Sequence, residues 1–202
     1  MTVTTSERLI EEQSRAKRLK ALTHVTHDRL DTSIMSAALF TSVEGYGRFV
    51  SVQTLFHRDI DALYDNPVLQ AVLPGLAERR RLPLIAADLA DLGLPFPEDD
   101  TQPAFARGEA TDVAAALGWL YVAEGSNMGA ALLRKEAAKL GLSDTHGARH
   151  LAPAPEGPAA HWRAFTAALD SAELTDEEEA CAVAGANAAF ARVQSLVDAR
   201  IG

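Results

Sequence analysis

The sequence contains one cysteine, few aromatic residues and no long hydrophobic run. The single cysteine, Cys181, excludes an intrachain disulfide and a cysteine-based zinc site, which fits a reducing compartment. No window approaches the ~18 consecutive apolar residues of a membrane span, and the N-terminal segment lacks the apolar core of a signal peptide. We therefore expect a cytoplasmic protein with no membrane partner.

Positive charge is also scarce. The chain has 19 Lys and Arg residues against 28 Asp and Glu residues, for a formal net charge of −9. Proteins that bind nucleic-acid grooves neutralise phosphates with Lys and Arg, so this balance argues against a nucleic-acid partner. Hydrophobic residues still make up 48% of the 202 residues, enough to bury a core without disulfides. We expect one domain over residues 1–202, with residues 1–13 as a candidate disordered tail.

Helical periodicity dominates the chain, and alternation with a period of two residues is absent. The predicted helices cover about residues 14–30, 49–63, 76–92, 112–140, 159–169 and 175–201. The segment 93–111 is rich in Pro, Gly and acidic residues, which predicts a surface loop with room for one helical turn. The sequence therefore predicts a single-domain, all-α fold.

Local signals mark the ends of these predicted helices. The Gly45-Tyr46-Gly47 segment is interpreted as a break before the second helix, and Asn66-Pro67 as its stop. Gly93 and Gly141 are expected to end the third and fourth helices. Thr175 begins a capping box for the last helix.

Two glycines lie inside the long fourth helix, in the segment EGSNMGAALL, residues 124–133. Each glycine costs a helix about 1 kcal/mol relative to alanine. Tyr121, Gly125 and Gly129 are spaced by four residues and form one stripe, whose last two members lack a Cβ atom. Three explanations are open: close packing of another helix, a kink, or a flat ligand lying on the bare backbone.

The first helix carries a second signal. Lys20 and His27 are seven residues apart, which places them on one face at about 10 Å along the helix axis. A helical histidine is more often a surface or core polar residue than a ligand. No Glu lies three residues before any of the six histidines, and no His-Glu-x-x-His motif is present. A metal on His27 would therefore need a cofactor that brings most of its ligands, as haem does.

The segments LKALTHVTHDRLD, around His27, and GWLYVAEGSNMGAALL, downstream, resemble the bacterial branch of the haem oxygenases. The resemblance covers most of the chain and includes ERRRLP, GARHLAPAPEGPAAHWRAF and the final helix. It implies a haem-oxygenase-like helical bundle with haem b, both substrate and cofactor, between a proximal helix and a kinked distal helix. It also implies oxidative cleavage of haem to biliverdin, CO and Fe²⁺ with O₂ and external electrons.

The resemblance also assigns roles to residues of the two helices. His27 is implied as the axial iron ligand, and the backbone at Gly125 and Gly129 as the cover of the opposite face. Ser126 and Asn127 are neutral where some relatives carry an Asp, so we expect ordered water to deliver protons. Asn127 projects about 200° away from Gly125 in an ideal helix, so it reaches the haem pocket only if the helix bends.

Further residues match family positions that hold haem or water. Lys20 and Tyr121 correspond to the residues that contact the haem propionates in this branch, and their presence predicts cleavage at the α-meso carbon. Arg81 falls where the family has an arginine that holds the distal water network. Phe190 is expected to line the pocket. The run Arg79-Arg80-Arg81 is also expected to form a basic surface cluster that docks an acidic ferredoxin or a flavin reductase.

Two other functions remain open from the sequence. One is a haem carrier or sensor on the same fold, and the other is an interaction protein whose glycine stripe packs a partner helix. The bare distal helix favours the oxygenase, because a six-coordinate carrier would place a second ligand there. The electron donor, a ferredoxin or a flavin/NADPH reductase, and the purpose, iron acquisition or bilin supply to a phytochrome, also stay open.

Overall fold

The computed structural model describes residues 14–201, so the tail predicted for residues 1–13 lies outside the described residues. Within this range the chain forms helices, turns and loops, with no strand longer than an isolated bridge. The α-helices are α1 (Arg15–Ser36), α2 (Val43–Ile60), α3 (Pro67–Val72), α4 (Leu82–Asp91), α5 (Val113–Lys139), α6 (Pro158–Ser171) and α7 (Asp176–Arg200). The predicted all-α class is confirmed.

Several helix ends follow the local signals of the sequence. The Asp112 side chain caps α5 by accepting a hydrogen bond from a backbone N–H of its first turn. Thr175 and Glu178 form the predicted capping box at the start of α7. Gly93 and Gly141 adopt left-handed φ values of 67° and 83°, shortly after α4 and α5 end. The capping box and the two glycine ends are therefore present in the fold as predicted.

Other predicted boundaries are wrong. Helix α1 continues six residues beyond Leu30, to Ser36. The expected break at Gly45-Tyr46-Gly47 is instead the beginning of α2, because the Ser42 side chain caps the backbone N–H of Gly45. A helix end and a helix start use similar small residues, and here the capping serine decides between them.

The region 66–92 also contains more separate helical segments than predicted. Asn66 ends one helical segment and caps the next, so α3 begins directly after it with Pro67 in its first turn. The predicted helix over 76–92 is a short 3-10 turn, Ala77–Arg79, followed by α4. Pro83 lies in the first turn of α4, where its missing N–H removes no helical hydrogen bond.

Helices α1 and α7 run parallel in a fixed register. Three side-chain contacts join them at a constant offset of 161 residues: Arg18 to Glu179 at 2.7 Å, Thr26 to Asn187 at 3.1 Å and Ser33 to Gln194 at 3.3 Å. Their spacing of eight and seven residues returns each contact to the same face of both helices. The contacts fix which part of α7 lies beneath His27.

Helices α5 and α7 pack closely through two glycines. A Cβ atom on Gly118 would lie 2.1 Å from the carbonyl oxygen of Ala182, and one on Gly185 would lie 2.2 Å from that of Ala115. Helix α7 therefore supports α1 on one side and α5 on the other. By length and composition alone α7 could span a membrane, but its large apolar residues Phe190, Val193, Leu196 and Val197 are buried in the main core.

Candidate functional site

His27 lies at the edge of α1, above α7. Its ring meets the Phe190 ring edge-on, with centroids 5.7 Å apart, and its side chain is 53% exposed. Its Nδ1 atom lies 3.4 Å from a carboxylate oxygen of Asp31, one turn further along the helix, and 3.5 Å from one of Asp28. Because both carboxylates face Nδ1, Nε2 is the nitrogen available to a metal.

The two residues predicted to hold the haem propionates lie on different helices. Lys20 is exposed, and it shares an unbroken helix with His27, so their predicted placement on one face is consistent with the fold. Tyr121 is 8% exposed, and its ring lies 5.7 Å from that of Trp162. Burial raises the pKa of the Tyr121 phenol. Both helices rest on α7.

Gly125 and Gly129 do not serve helix packing. Among residues 14–201, no atom outside the neighbouring backbone of α5 itself lies within 4 Å of the position that a Cβ of Gly129 would take, and a Cβ of Gly125 would make an ordinary contact with the Trp162 ring, at 3.7 Å. Met128 and Leu132 are 46% and 54% exposed, and in an α-helix they lie within about 60° of Gly125 around the axis. This face of α5 is open and apolar, which suits a flat apolar ligand.

A small cavity lies against a different face of α5. It has a volume of about 40 Å³, which holds about three water molecules at ~10–15 Å³ each. Its lining residues are Phe49, Gln53, His57, Arg81, Ser126, Asn127, Ala130, Leu133, His150 and Leu151. The structure therefore brings together three predicted residues, Arg81, Ser126 and Asn127, and adds two histidines.

Both histidines present an unsatisfied nitrogen where they border this cavity. Nδ1 of His57 and Nε2 of His150 are buried without a hydrogen-bond partner in residues 14–201. His150 Nδ1 is bonded to Asp88 at 2.7 Å, so Nε2 is the ring nitrogen of His150 that is left without a partner. Burial, and then the charges of His150 and Arg81, lower the pKa of His57 to about 3, so His57 is neutral at pH 7. Unsatisfied buried polar atoms beside a polar cavity indicate bound water.

The expected basic surface cluster at Arg79-Arg80-Arg81 is wrong. Arg79 pairs with the buried Glu124 at 2.8 Å, and Arg80 pairs with Asp61 at 2.8 Å. Arg81 donates to the backbone carbonyl oxygens of residues 150 and 152. All three guanidinium groups bind partners within the fold, so the run offers no open basic surface.

Sequence reasoning missed His57, His150 and the packing glycine Gly118. His57 falls on the buried face of α2, four residues after Gln53. The helical spacing of the apolar residues in this segment could therefore have identified His57 as a buried histidine. His150 follows a loop glycine and has no periodic neighbours that mark it. Its position depends on Asp88, 62 residues earlier, which only the tertiary fold brings close.

The donor set fits a metal that arrives with its own ligands. Among residues 14–201, no group of three or more His, Cys, Asp or Glu side chains could hold a metal ion. The site instead offers one half-exposed imidazole on α1 and an open, Cβ-free face on α5. Haem needs as little as one protein ligand to its iron and a flat space, so these residues fit haem.

Comparisons with known proteins identify the family. The family model described as "Heme oxygenase" matches residues 13–199. The chain is 46% identical to heme oxygenase PigA of Pseudomonas aeruginosa over 184 residues, 91% of each chain. It is 35% identical to a heme oxygenase of Xanthomonas campestris over 125 residues, 62% of this chain and 72% of that protein.

Two solved structures share the fold. The NO- and CO-bound heme oxygenase of Neisseria meningitidis superposes with a TM-score of 0.87 at 42% identity, covering 94% of this chain and 92% of that chain. The heme oxygenase of Leptospira interrogans superposes with a TM-score of 0.71 at 18% identity, covering 93% and 100%, and supports the fold alone. Together with the family match, these findings show that the chain belongs to the haem oxygenase family and is an enzyme of that family.

Proposed function

We propose that this protein binds haem b between α1 and α5 and cleaves it to biliverdin, CO and Fe²⁺, using O₂ and electrons from a separate donor. One observation carries the proposal: a half-exposed His27, in contact with Phe190, accompanies a helix face at Gly129 that no other element of residues 14–201 covers. Bound haem supplies the iron and the oxygen chemistry. The protein supplies the ligand, the orientation and the protons.

His27 is the proposed axial ligand, through Nε2. The carboxylates of Asp31 and Asp28, 3.4 and 3.5 Å from Nδ1, are proposed to favour a proton on that nitrogen and so to leave Nε2 for the iron, as carboxylates do beside other metal-binding histidines. Phe190 supports the ring edge from α7. Lys20 and Tyr121 are the proposed partners of the haem propionates, one as a cation and one as a phenol that stays protonated.

Gly125 and Gly129 are proposed to let the α5 backbone approach the macrocycle, where any side chain would collide. Ser126 and Asn127 lie on the adjacent face and border the cavity. Water held there by Arg81, His57 and their neighbours is the proposed proton source. Since His57 is neutral at pH 7, it can accept a hydrogen bond from such water without adding a buried charge.

The presence of Lys20 and Tyr121 supports cleavage at the α-meso carbon. Removal of both propionate partners in a Lys20→Ala, Tyr121→Phe variant should release haem from one orientation and give mixed biliverdin isomers. Chromatography of the product tests the assignment, and mainly β- or δ-biliverdin from the wild-type enzyme would refute it.

The electron donor is proposed to be a ferredoxin or a flavin/NADPH reductase, and the working compartment the cytoplasm. A biliverdin-using phytochrome is a candidate consumer of the product. Because the Arg79–Arg81 run is internally paired, it lends no support to a particular donor. Turnover rates with purified ferredoxin and with a flavin reductase would separate the two donor classes.

Aerobic turnover of the haem complex tests the whole proposal. Ascorbate, or ferredoxin with its reductase, should bleach the Soret band and yield biliverdin. A Soret band that survives reduction and aeration would favour a haem carrier instead. A haem spectrum that is unchanged in His27→Ala would argue against the proposed ligand.

A further inference from the structure

Glu124 is a buried carboxylate at the point where α5 leaves the core. Its side chain is 2% exposed, and it directly precedes Gly125. Arg79 donates from Nη1 to Oε2 of Glu124 at 2.8 Å, and from Nη2 to the carbonyl oxygen of His161 at 3.1 Å. One guanidinium group therefore ties α5 to both α6 and the turn before α4.

His161, in the first turn of α6, links the same carboxylate to the surface. Its Nε2 lies 3.5 Å from Oε2 of Glu124, and its Nδ1 lies 2.6 Å from Oε1 of Glu156. A neutral imidazole donates from one nitrogen only, so a ring between two carboxylates is satisfied on both sides only when it is protonated. The hydrogen bond to Glu124 and then that to Glu156 raise the pKa of His161, against the effects of burial and of Arg79.

The charges of this group balance only with a protonated His161. The charged residues that face His161 are Glu124 from α5, Glu156 from the segment before α6, and Arg79 from the 3-10 turn. With an imidazolium there are two cations and two carboxylates, whereas a neutral ring leaves one negative charge in excess. The contact is thus strongest below the unfolded-state pKa of His161 and is lost as the pH rises through its raised, folded-state value.

Trp162, the next residue of α6, touches the proposed haem face. Its ring atoms lie 3.7 and 3.9 Å from the position of a Gly125 Cβ, and its ring meets that of Tyr121 at 5.7 Å. Beyond Gly125, α5 has few buried residues, Ala130 and Ala137. The first turn of α6 therefore contacts α5 at Glu124 and at Gly125. These are the residues at which the weakly packed part of α5 begins.

We propose that Glu124, Arg79 and His161 are positioning residues that form a proton-dependent clamp, which fixes residues 125–139 of α5 over the haem cleft. The inference rests on the proposed function, since it concerns the placement of the distal helix. The clamp acts through the backbone at Gly125, without touching haem. Loosening it should let the helix shift and change which meso carbon it favours.

Amide hydrogen exchange of the haem-free protein tests the clamp without catalysis. Protection factors, already corrected for intrinsic exchange, are compared between residues 126–133 and 114–123 at pH 6 and pH 8.5. In the wild type, protection of 126–133 should be lower at pH 8.5 while that of 114–123 is unchanged. In Glu124→Gln it should fall at pH 6 by about tenfold, the size expected for one lost hydrogen bond to a charged group.

Two further variants keep the test decisive. His161→Gln removes the titration, so it should abolish the pH dependence of protection at 126–133, and Arg79→Lys should retain part of the protection if Glu124→Gln does not fold. Asp99→Asn is a matched control, because Asp99 is a partly buried carboxylate paired with Arg192 at 2.6 Å away from this group. Equal loss of protection in Glu124→Gln and Asp99→Asn, or an unchanged pH dependence in His161→Gln, would overturn the clamp.

Product analysis of the haem complex separates the two proposals. If the clamp positions α5, Glu124→Gln should broaden the distribution of biliverdin isomers, while Asp99→Asn keeps the wild-type distribution. A single isomer from Glu124→Gln would overturn the positioning role even if haem is cleaved. If the wild type bound haem without cleaving it, the proposed function would fail, while the exchange result in the haem-free protein would still decide the clamp.

Discussion

The two halves of α5 differ sharply in their surroundings. From Ala114 to Glu124 nearly every residue is buried, whereas from Gly125 to Lys139 only Ala130 and Ala137 are. The first half packs on α7 in the main core, and the second half presents exposed Met128 and Leu132 beside an open glycine. One continuous helix thus has a first half that is buried in the core and a second half that is largely exposed.

Glycine has opposite roles in these halves. Gly118 lacks a side chain because the backbone of α7 occupies the space, so its role is helix packing. Gly129 lacks one although no atom of residues 14–201 outside its own stretch of helix lies within 4 Å of the Cβ position, so helix packing does not explain this glycine. The residue type alone does not distinguish the two cases, and the neighbouring atoms do.

The largest effect is expected from Gly118→Ala. The new methyl group would meet the backbone of α7, which cannot rotate away as a flexible side chain can. We expect a loss of about 2–3 kcal/mol in the free energy of unfolding, near the upper end of overpacking costs. Urea denaturation measures it. A variant as stable as the wild type would mean that α5 and α7 are further apart than described.

A smaller effect on stability, one that depends on pH, is expected from His57, which lines the cavity against the second half of α5. Burial lowers the pKa of His57 to about 3 in the fold, from the ordinary histidine value of 6.5. Between these values the unfolded state binds a proton that the folded state does not, so stability falls as the pH falls. From pH 7 to pH 5 this costs about 2 kcal/mol, at about 1.4 kcal/mol per pH unit.

The His57→Gln variant should therefore lose less stability than the wild type over this range. Urea denaturation at pH 7 and pH 5 measures the difference. His24→Gln provides the control, since it replaces a histidine on the exposed face of α1 and leaves the core intact. An equal pH dependence in His57→Gln and the wild type would show that His57 is not held neutral in the core.

The smallest effect on stability is expected from Gly129→Ala, and it has the opposite sign. Alanine is the better helix former and meets no neighbour at this position, so the haem-free protein should gain about 0.5–1 kcal/mol. The same methyl group should weaken haem binding by about tenfold, if the overlap costs about 1.4 kcal/mol. Thermal unfolding and haem titration measure the two changes. A variant that is more stable than the wild type and also binds haem more tightly would contradict a ligand at this face.

The sequence allowed the all-α class, the long α5 and the capping box at Thr175 to be predicted, because these depend on local periodicity and side-chain caps. His27 and the glycine stripe could be selected because helical spacing places Lys20 and His27 on one face of α1, and the two glycines on one face of α5. Local signals failed where one residue serves two purposes, as Asn66 does between helical segments. They also failed for the arginine run, because its carboxylate partners come from other elements.

The cavity could not be foreseen, because its members come from α2, the segment before α4, α5 and the loop after α5. Arg81, Ser126 and Asn127 were named from resemblance. His57 was marked only by its place in the apolar period of α2, and the position of His150 needed the tertiary fold. The placement of all five is now described, and their roles in the reaction stay predictions.

The parallel register of α1 and α7 has a consequence for biosynthesis. The proposed iron ligand is translated early and the ring that supports it 163 positions later, as the numbers of His27 and Phe190 show. While α7 is still inside the ribosome, the His27 imidazole lacks the ring that supports it. Stable haem capture should therefore await the synthesis and docking of α7.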